Sequence, residues 1–162
     1  MEYNLAMKRI LFSLLLTVKL LTADDGHVHL PYAKTMELLQ SIKAEAIVLG
    51  TGKTEVYVFV DPLCPHSRKF MTMVSGNGAM LTKYKYYIFL YTIPRLKSEA
   101  VVEAIYASKD PVSTMLDIMV EKQEPVLGAR SAQAEKTVSD IASVALEMDV
   151  YKRPYIIVAG QE

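Results

Sequence analysis

Apolar positions change their spacing several times along the chain, and each change marks an element. Between Thr35 and Ala46 they fall at Met36, Leu38, Leu39, Ile42 and Ala46, the spacing of one helix face. Gly50-Thr51-Gly52-Lys53-Thr54 interrupts that pattern. Glu55-Val56-Tyr57-Val58-Phe59-Val60 then runs β-branched and aromatic with no polar alternation, which predicts a central strand buried on both faces. It ends at Asp61-Pro62-Leu63, and Cys64 follows at once. Pro65 suits the first position of a helix, where its missing N–H costs nothing. That helix is predicted to run through Phe70, Met71 and Val74 and to stop near Gly76-Asn77-Gly78.

Tyr84 to Tyr91 reads as a second buried strand, closed by Thr92-Ile93-Pro94. Helical spacing returns in Ser98–Ser108, with Val101, Val102, Ile105 and Tyr106, and in Pro111–Lys122, with Val112, Met115, Leu116 and Met119. A longer helix is predicted for Ser131–Met148, where Val138, Ile141, Val144, Ala145 and Met148 form one stripe. The methionines fall on these stripes and read as core filler. Tyr155-Ile156-Ile157-Val158-Ala159 is a last strand, ending at Gly160. Strand, helix, strand, helices, strand is an α/β plan with a mixed or parallel sheet. Length fits one domain, and 51% apolar residues supply a core.

The first residues follow a different logic. Met7-Lys8-Arg9 precedes the apolar run Ile10–Val18, then Lys19, Leu20-Leu21-Thr22-Ala23 and the acidic Asp24-Asp25. A basic start, a short apolar run and a small residue before a polar break predict a secretory signal peptide over residues 1–23, with Met7 a possible start. The alternative, an uncleaved membrane anchor, must span about 30 Å of hydrocarbon with Lys19 inside it. Residues 24–50 read as lead-in and linker helix, and residues 51–162 as the main domain. In the lead-in, His27 and His29 are read as part of a solvated tail in preference to metal ligands. Losing residues 1–23 changes a formal charge of +0 to −2. Neither value argues for nucleic acid, and no cofactor or metal motif stands out.

One cysteine in an exported chain cannot form an internal disulfide. Cys64 is therefore either an inert buried residue or a reactive one. Its place between a buried strand and a helix start favours the reactive reading, because a helix N-terminus favours thiolate over thiol. A protonated His66 would add to that effect. Far along the chain, Tyr151-Lys152-Arg153-Pro154-Tyr155 places a proline directly before a strand, where a cis bond is an option.

Phe59-Val60-Asp61-Pro62-Leu63-Cys64-Pro65-His66-Ser67 resembles the active-site segment of bacterial periplasmic thiol–disulfide proteins of the Dsb type. The likeness is greatest to the thioredoxin-fold domain of the disulfide isomerases DsbC and DsbG. It extends over roughly Thr35 to Glu162, through Ile93-Pro94-Arg95, Ala104–Asp110 and Arg153-Pro154. The resemblance implies a thioredoxin-like fold with an inserted helical segment. It makes Cys64 the nucleophile, Pro65-His66 the tuning dipeptide and Pro154 the cis proline facing the sulfur. Arg153 departs from the small or β-branched residue usual there, and its guanidinium is read as a thiolate stabiliser or an acid-binding group.

Three further departures shape the expectation. Ser67 stands where the family has its second cysteine, so a dithiol cycle within this chain is unavailable. The segment before the first strand is too short for the family's dimerisation domain. The chain also ends two residues after Gly160, before the family's last strand and C-terminal helix, which predicts an open strand edge and an uncovered sheet face. The expected activity is thiol–disulfide exchange or isomerisation by one cysteine, in the periplasm. Its partners would be cysteine-containing exported proteins and an external reducing thiol, with membrane contact only if the signal segment stays uncleaved. The alternative is a thioredoxin-fold module that binds peptides without turnover.

Overall fold

The computed structural model describes residues 26–128 and 131–160. The signal-peptide reading of residues 1–23 lies outside them. Among the described residues, six α-helices and four strands follow one another. They are α1 (Tyr32–Ser41), β1 (Ile47–Leu49), β2 (Thr54–Val60), α2 (Pro65–Ser75), α3 (Gly78–Lys83), β3 (Tyr84–Leu90), α4 (Glu99–Ala107), α5 (Pro111–Met119), α6 (Ala132–Glu147) and β4 (Tyr155–Val158). The sheet order is β1-β3-β2-β4, with β2 and β3 parallel and both outer strands antiparallel to their neighbours.

The unbroken apolar run of β2 has the burial it predicts. Val56, Tyr57, Val58, Phe59 and Val60 are all buried, because β2 is an inner strand with helices on both sides. Val56, Val58 and Val60 face one layer, with Met71 and Val74 of α2, Val102 and Ile105 of α4, and Met115 and Met119 of α5. Tyr57 and Phe59 face the other, with Leu38 and Leu39 of α1, Ile141 and Ala145 of α6, and Met148 just past it. The result is a three-layer α/β/α sandwich.

Several boundaries shift for local reasons. Ile47–Leu49, read as no element in the sequence, is a strand: three residues carry too little periodicity to stand out, and pairing with β3 supplies the hydrogen bonds. β1 joins the sheet, and Leu39 of α1 is fully buried with Tyr57 and Phe59 of β2. Gly50 and Gly52 form the tight turn between β1 and β2. Gly50 has φ 82°, and a Cβ at Gly52 would lie 2.0 Å from the Lys83 carbonyl carbon. Asn77 both follows α2 and caps α3, its side chain accepting from the Met80 amide at 3.2 Å. A stop signal thus doubles as a start signal.

The lead-in is not a solvated tail. His27 stacks on Tyr151 with ring centroids 3.4 Å apart, and Asp149 accepts from His27 Nδ1 at 3.0 Å and from the Val28 amide at 2.8 Å. Those contacts tie it to the loop before β4. The methionines divide: Met71, Met115, Met119 and Met148 are core, but Met73 is 52% exposed. β4 is an outer strand of the described sheet, and its Ile156 is 46% exposed.

Candidate functional site

The C-terminal end of β2 delivers the chain to a loop-to-helix corner. The Cys64 amide donates to the Asp61 carbonyl at 3.1 Å, which closes a turn, and Cys64 is the residue immediately before α2. Pro65 occupies the first helical position, as its missing N–H allows. The Arg68 amide then makes the first helical bond, to the Cys64 carbonyl at 2.9 Å. Pro65 and His66 are exposed, whereas Cys64 is only 3% exposed.

The loop before β4 comes up against the sulfur. The Arg153–Pro154 bond is cis, and Cys64 Sγ lies 3.9 Å from the Arg153 carbonyl oxygen. Two segments about ninety residues apart in sequence thus meet at one thiol. The Arg153 side chain is held by three backbone carbonyls. Nε donates to the Tyr91 carbonyl at 3.2 Å, one terminal nitrogen to Val150 O at 2.8 Å and the other to Thr92 O at 3.0 Å. The guanidinium carbon also lies 3.9 Å from the Tyr91 ring centroid. Burial is the main influence on this group and lowers its pKa, with Tyr91, Asp61 and Cys64 opposing. Each guanidinium nitrogen is committed to a backbone carbonyl. The contact to the sulfur is made by the Arg153 backbone carbonyl.

Ser67 is fully buried and accepts from the Asp61 amide at 3.2 Å. Its hydroxyl therefore ties the first turn of α2 to the end of β2. The sequence did not single out Asp61 itself, which organises the corner. Its carboxylate is fully buried and accepts from the Leu63 amide at 2.8 Å, the Ile93 amide at 2.5 Å and the Ser98 hydroxyl at 2.6 Å. Ser98 precedes α4 but spends its hydroxyl on Asp61 instead of capping that helix. The signal was present in the chain: an acidic residue directly after five successive apolar strand residues must find partners where it is buried. Nothing in the sequence, however, shows that Ile93 and Ser98 supply them.

No protein-family model matches the sequence, and no curated protein matches it. Solved structures do. The chain is similar to a disulfide interchange protein from Neisseria gonorrhoeae, at 22% identity and a TM-score of 0.57, over 71% of this chain and 80% of that one. It is similar to DsbG from Helicobacter pylori, at 18% identity and a TM-score of 0.62, over 78% of this chain and 61% of that one. It is also similar to ScsC from Proteus mirabilis in a compact conformation, at 13% identity and a TM-score of 0.63, over 96% of this chain and 83% of that one. The fold is therefore the thioredoxin-like α/β architecture of Dsb structures, with the helices α4 to α6 between its parallel pair and its last strand. No helix among the described residues is long and apolar enough to cross a membrane.

Proposed function

We propose that this protein is an exported thiol–disulfide exchange protein of the Dsb type that acts through Cys64 alone. The observation that carries the reading is the meeting of Cys64, at the start of α2, with the Arg153–Pro154 cis bond, 3.9 Å from sulfur to carbonyl. A helix start stabilises negative charge, the form in which a thiol attacks a disulfide. The Cys64 thiolate attacks one sulfur of a substrate disulfide. A new S–S bond joins Cys64 to that sulfur, and the other substrate sulfur leaves as a thiolate and takes up a proton. Nothing is oxidised or reduced overall. Release needs a second attack on the mixed disulfide, by another substrate thiol or an external reducing thiol, because Ser67 cannot supply it. Pro65 and His66 follow Cys64 as the first residues of α2, and Pro154 and the Arg153 backbone border the substrate. Residues 1–23 act as the export signal, the working compartment is the periplasm, and the partners are cysteine-containing exported proteins. No cofactor is needed.

A second reading, a peptide-binding module without turnover, draws on the 3% exposure of Cys64. One experiment separates the two. The protein is incubated with scrambled ribonuclease, quenched in acid and examined by mass spectrometry without reduction. Exchange predicts a covalent adduct at Cys64 that accumulates, disappears on adding glutathione and never forms with Cys64→Ser. Ribonuclease bound without a covalent adduct would leave the binding module standing and remove the exchange activity.

A further inference from the structure

Along α2 lies an open groove of about 690 Å³, which Cys64 itself does not line. Leu63 and Pro65, the two neighbours of Cys64 in sequence, form one end, and Met73 of α2 and Met119 of α5 continue the apolar surface. Met119 is fully buried and Met73 is 52% exposed. Thioethers adapt their shape, so such a surface accepts varied apolar side chains. Arg68, Lys69, Thr72 and Lys122 complete the lining, and no carboxylate does.

These cations are not neutralised from within. Among the described residues, no carboxylate pairs with Lys69 or Lys122. Arg68 is tethered through Nε to the Pro62 carbonyl at 2.7 Å, which fixes the guanidinium and leaves its terminal nitrogens for a ligand. Lys122 stands in the left-handed region at φ 58°, in a turn closed by the Gln123 amide on the Asp117 carbonyl at 2.9 Å. Its backbone is thereby held on the rim.

An apolar trough with three cations and no anion selects by charge as well as by shape. Resting on the exchange reading above, we propose that this groove receives the partner segment next to the reacting sulfur. It favours segments that carry a long apolar side chain flanked by carboxylates. The apolar side chain lies over Met73 and Met119, and the carboxylates meet Arg68, Lys69 and Lys122. Basic segments are disfavoured by like charge.

The test compares two peptides, Glu-Met-Glu-Cys and Lys-Met-Lys-Cys, each carrying its cysteine as a mixed disulfide with thiopyridine. Thiopyridone release with the full chain is expected to run about tenfold faster for the acidic peptide at low salt, and the preference to shrink as salt screens it. In Lys69→Glu/Lys122→Glu, both sites exposed, the preference should reverse. Equal rates for the two peptides, alongside normal reaction with neutral dithiodipyridine, would overturn the groove and leave exchange intact. If no disulfide reacts, exchange fails, and the groove is judged by fluorescence anisotropy on the same peptides with serine for cysteine. About tenfold tighter binding of the acidic one supports the groove, and equal or absent binding removes it.

Discussion

Strand β2 is bordered by two carboxylates, Glu55 near its start and Asp61 just past its end, and they are satisfied in different ways. Glu55 is part-exposed and receives a cation: Lys43 Nζ lies 2.7 and 2.9 Å from its two oxygens. The hydroxyls of Tyr57 and Tyr87 donate to it at 2.6 and 3.2 Å, and Lys43 lies 4.5 Å from the Tyr87 ring centroid. Asp61 is fully buried and its hydrogen bonds come only from neutral donors, two backbone amides and one hydroxyl. Side chains that reach Glu55 are long and can resettle. Those that reach Asp61 belong to the chain itself at Leu63 and Ile93, so its bonds set loop positions. One carboxylate adds stability at a surface, and the other fixes the corner where Cys64 sits.

The largest effect is therefore expected from Asp61→Asn. An amide in that place turns one N–H donor toward another, leaving the part-buried Leu63 or Ile93 amide without its acceptor. The cost should be about 3 kcal/mol, seen as a lower urea midpoint at unchanged slope. Melting should fall by about 10 °C for a domain of this size. If Asp61→Asn costs no more than Glu55→Gln, the contrast between the two ends fails.

Ser67→Ala comes next. It removes the acceptor of the Asp61 amide in a fully buried place, at a cost of about 1–2 kcal/mol by urea denaturation. A loss near zero would mean that the hydroxyl is incidental to the corner, and that the serine does no more than stand in for a cysteine.

How far each end could be read from the sequence follows the same division. β2 was legible because five successive apolar residues admit only burial on both faces, and α2 because Pro65 marks its start. The resemblance to Dsb proteins linked Cys64 with the Arg153-Pro154 turn, and Cys64 Sγ lies 3.9 Å from the Arg153 carbonyl oxygen. Asp61, Ser98 and the carbonyls that hold Arg153 were not legible. Their roles depend on which loops the topology places beside the end of β2, and spacing carries no trace of that. The Arg153 guanidinium shows the limit most directly. Its charge suggested chemistry, but Tyr91, Thr92 and Val150 lay beyond what local pattern reveals. The docked lead-in failed to show for the same reason, since His27 meets Tyr151 and Asp149 across the whole domain.

Glu55→Gln should have the smallest effect, and its sign with pH sharpens the comparison. Lys43, followed by Tyr57, holds the Glu55 carboxyl below the ordinary carboxylate range. A group whose pKa is depressed by folding contributes its full stabilisation above the unfolded value of about 4.3, and loses it as pH falls through the folded value. The wild-type protein should therefore lose stability on acidification below about pH 5, and Glu55→Gln should lose less over the same range. At neutral pH the substitution should cost about 1 kcal/mol or less, because the pair is partly solvated and the glutamine keeps an acceptor for Tyr57. Urea midpoints of both proteins from neutral to acid pH measure the difference. Parallel pH profiles would mean that the Lys43 pair contributes nothing to folding, and that the start of β2 relies on its apolar neighbours alone.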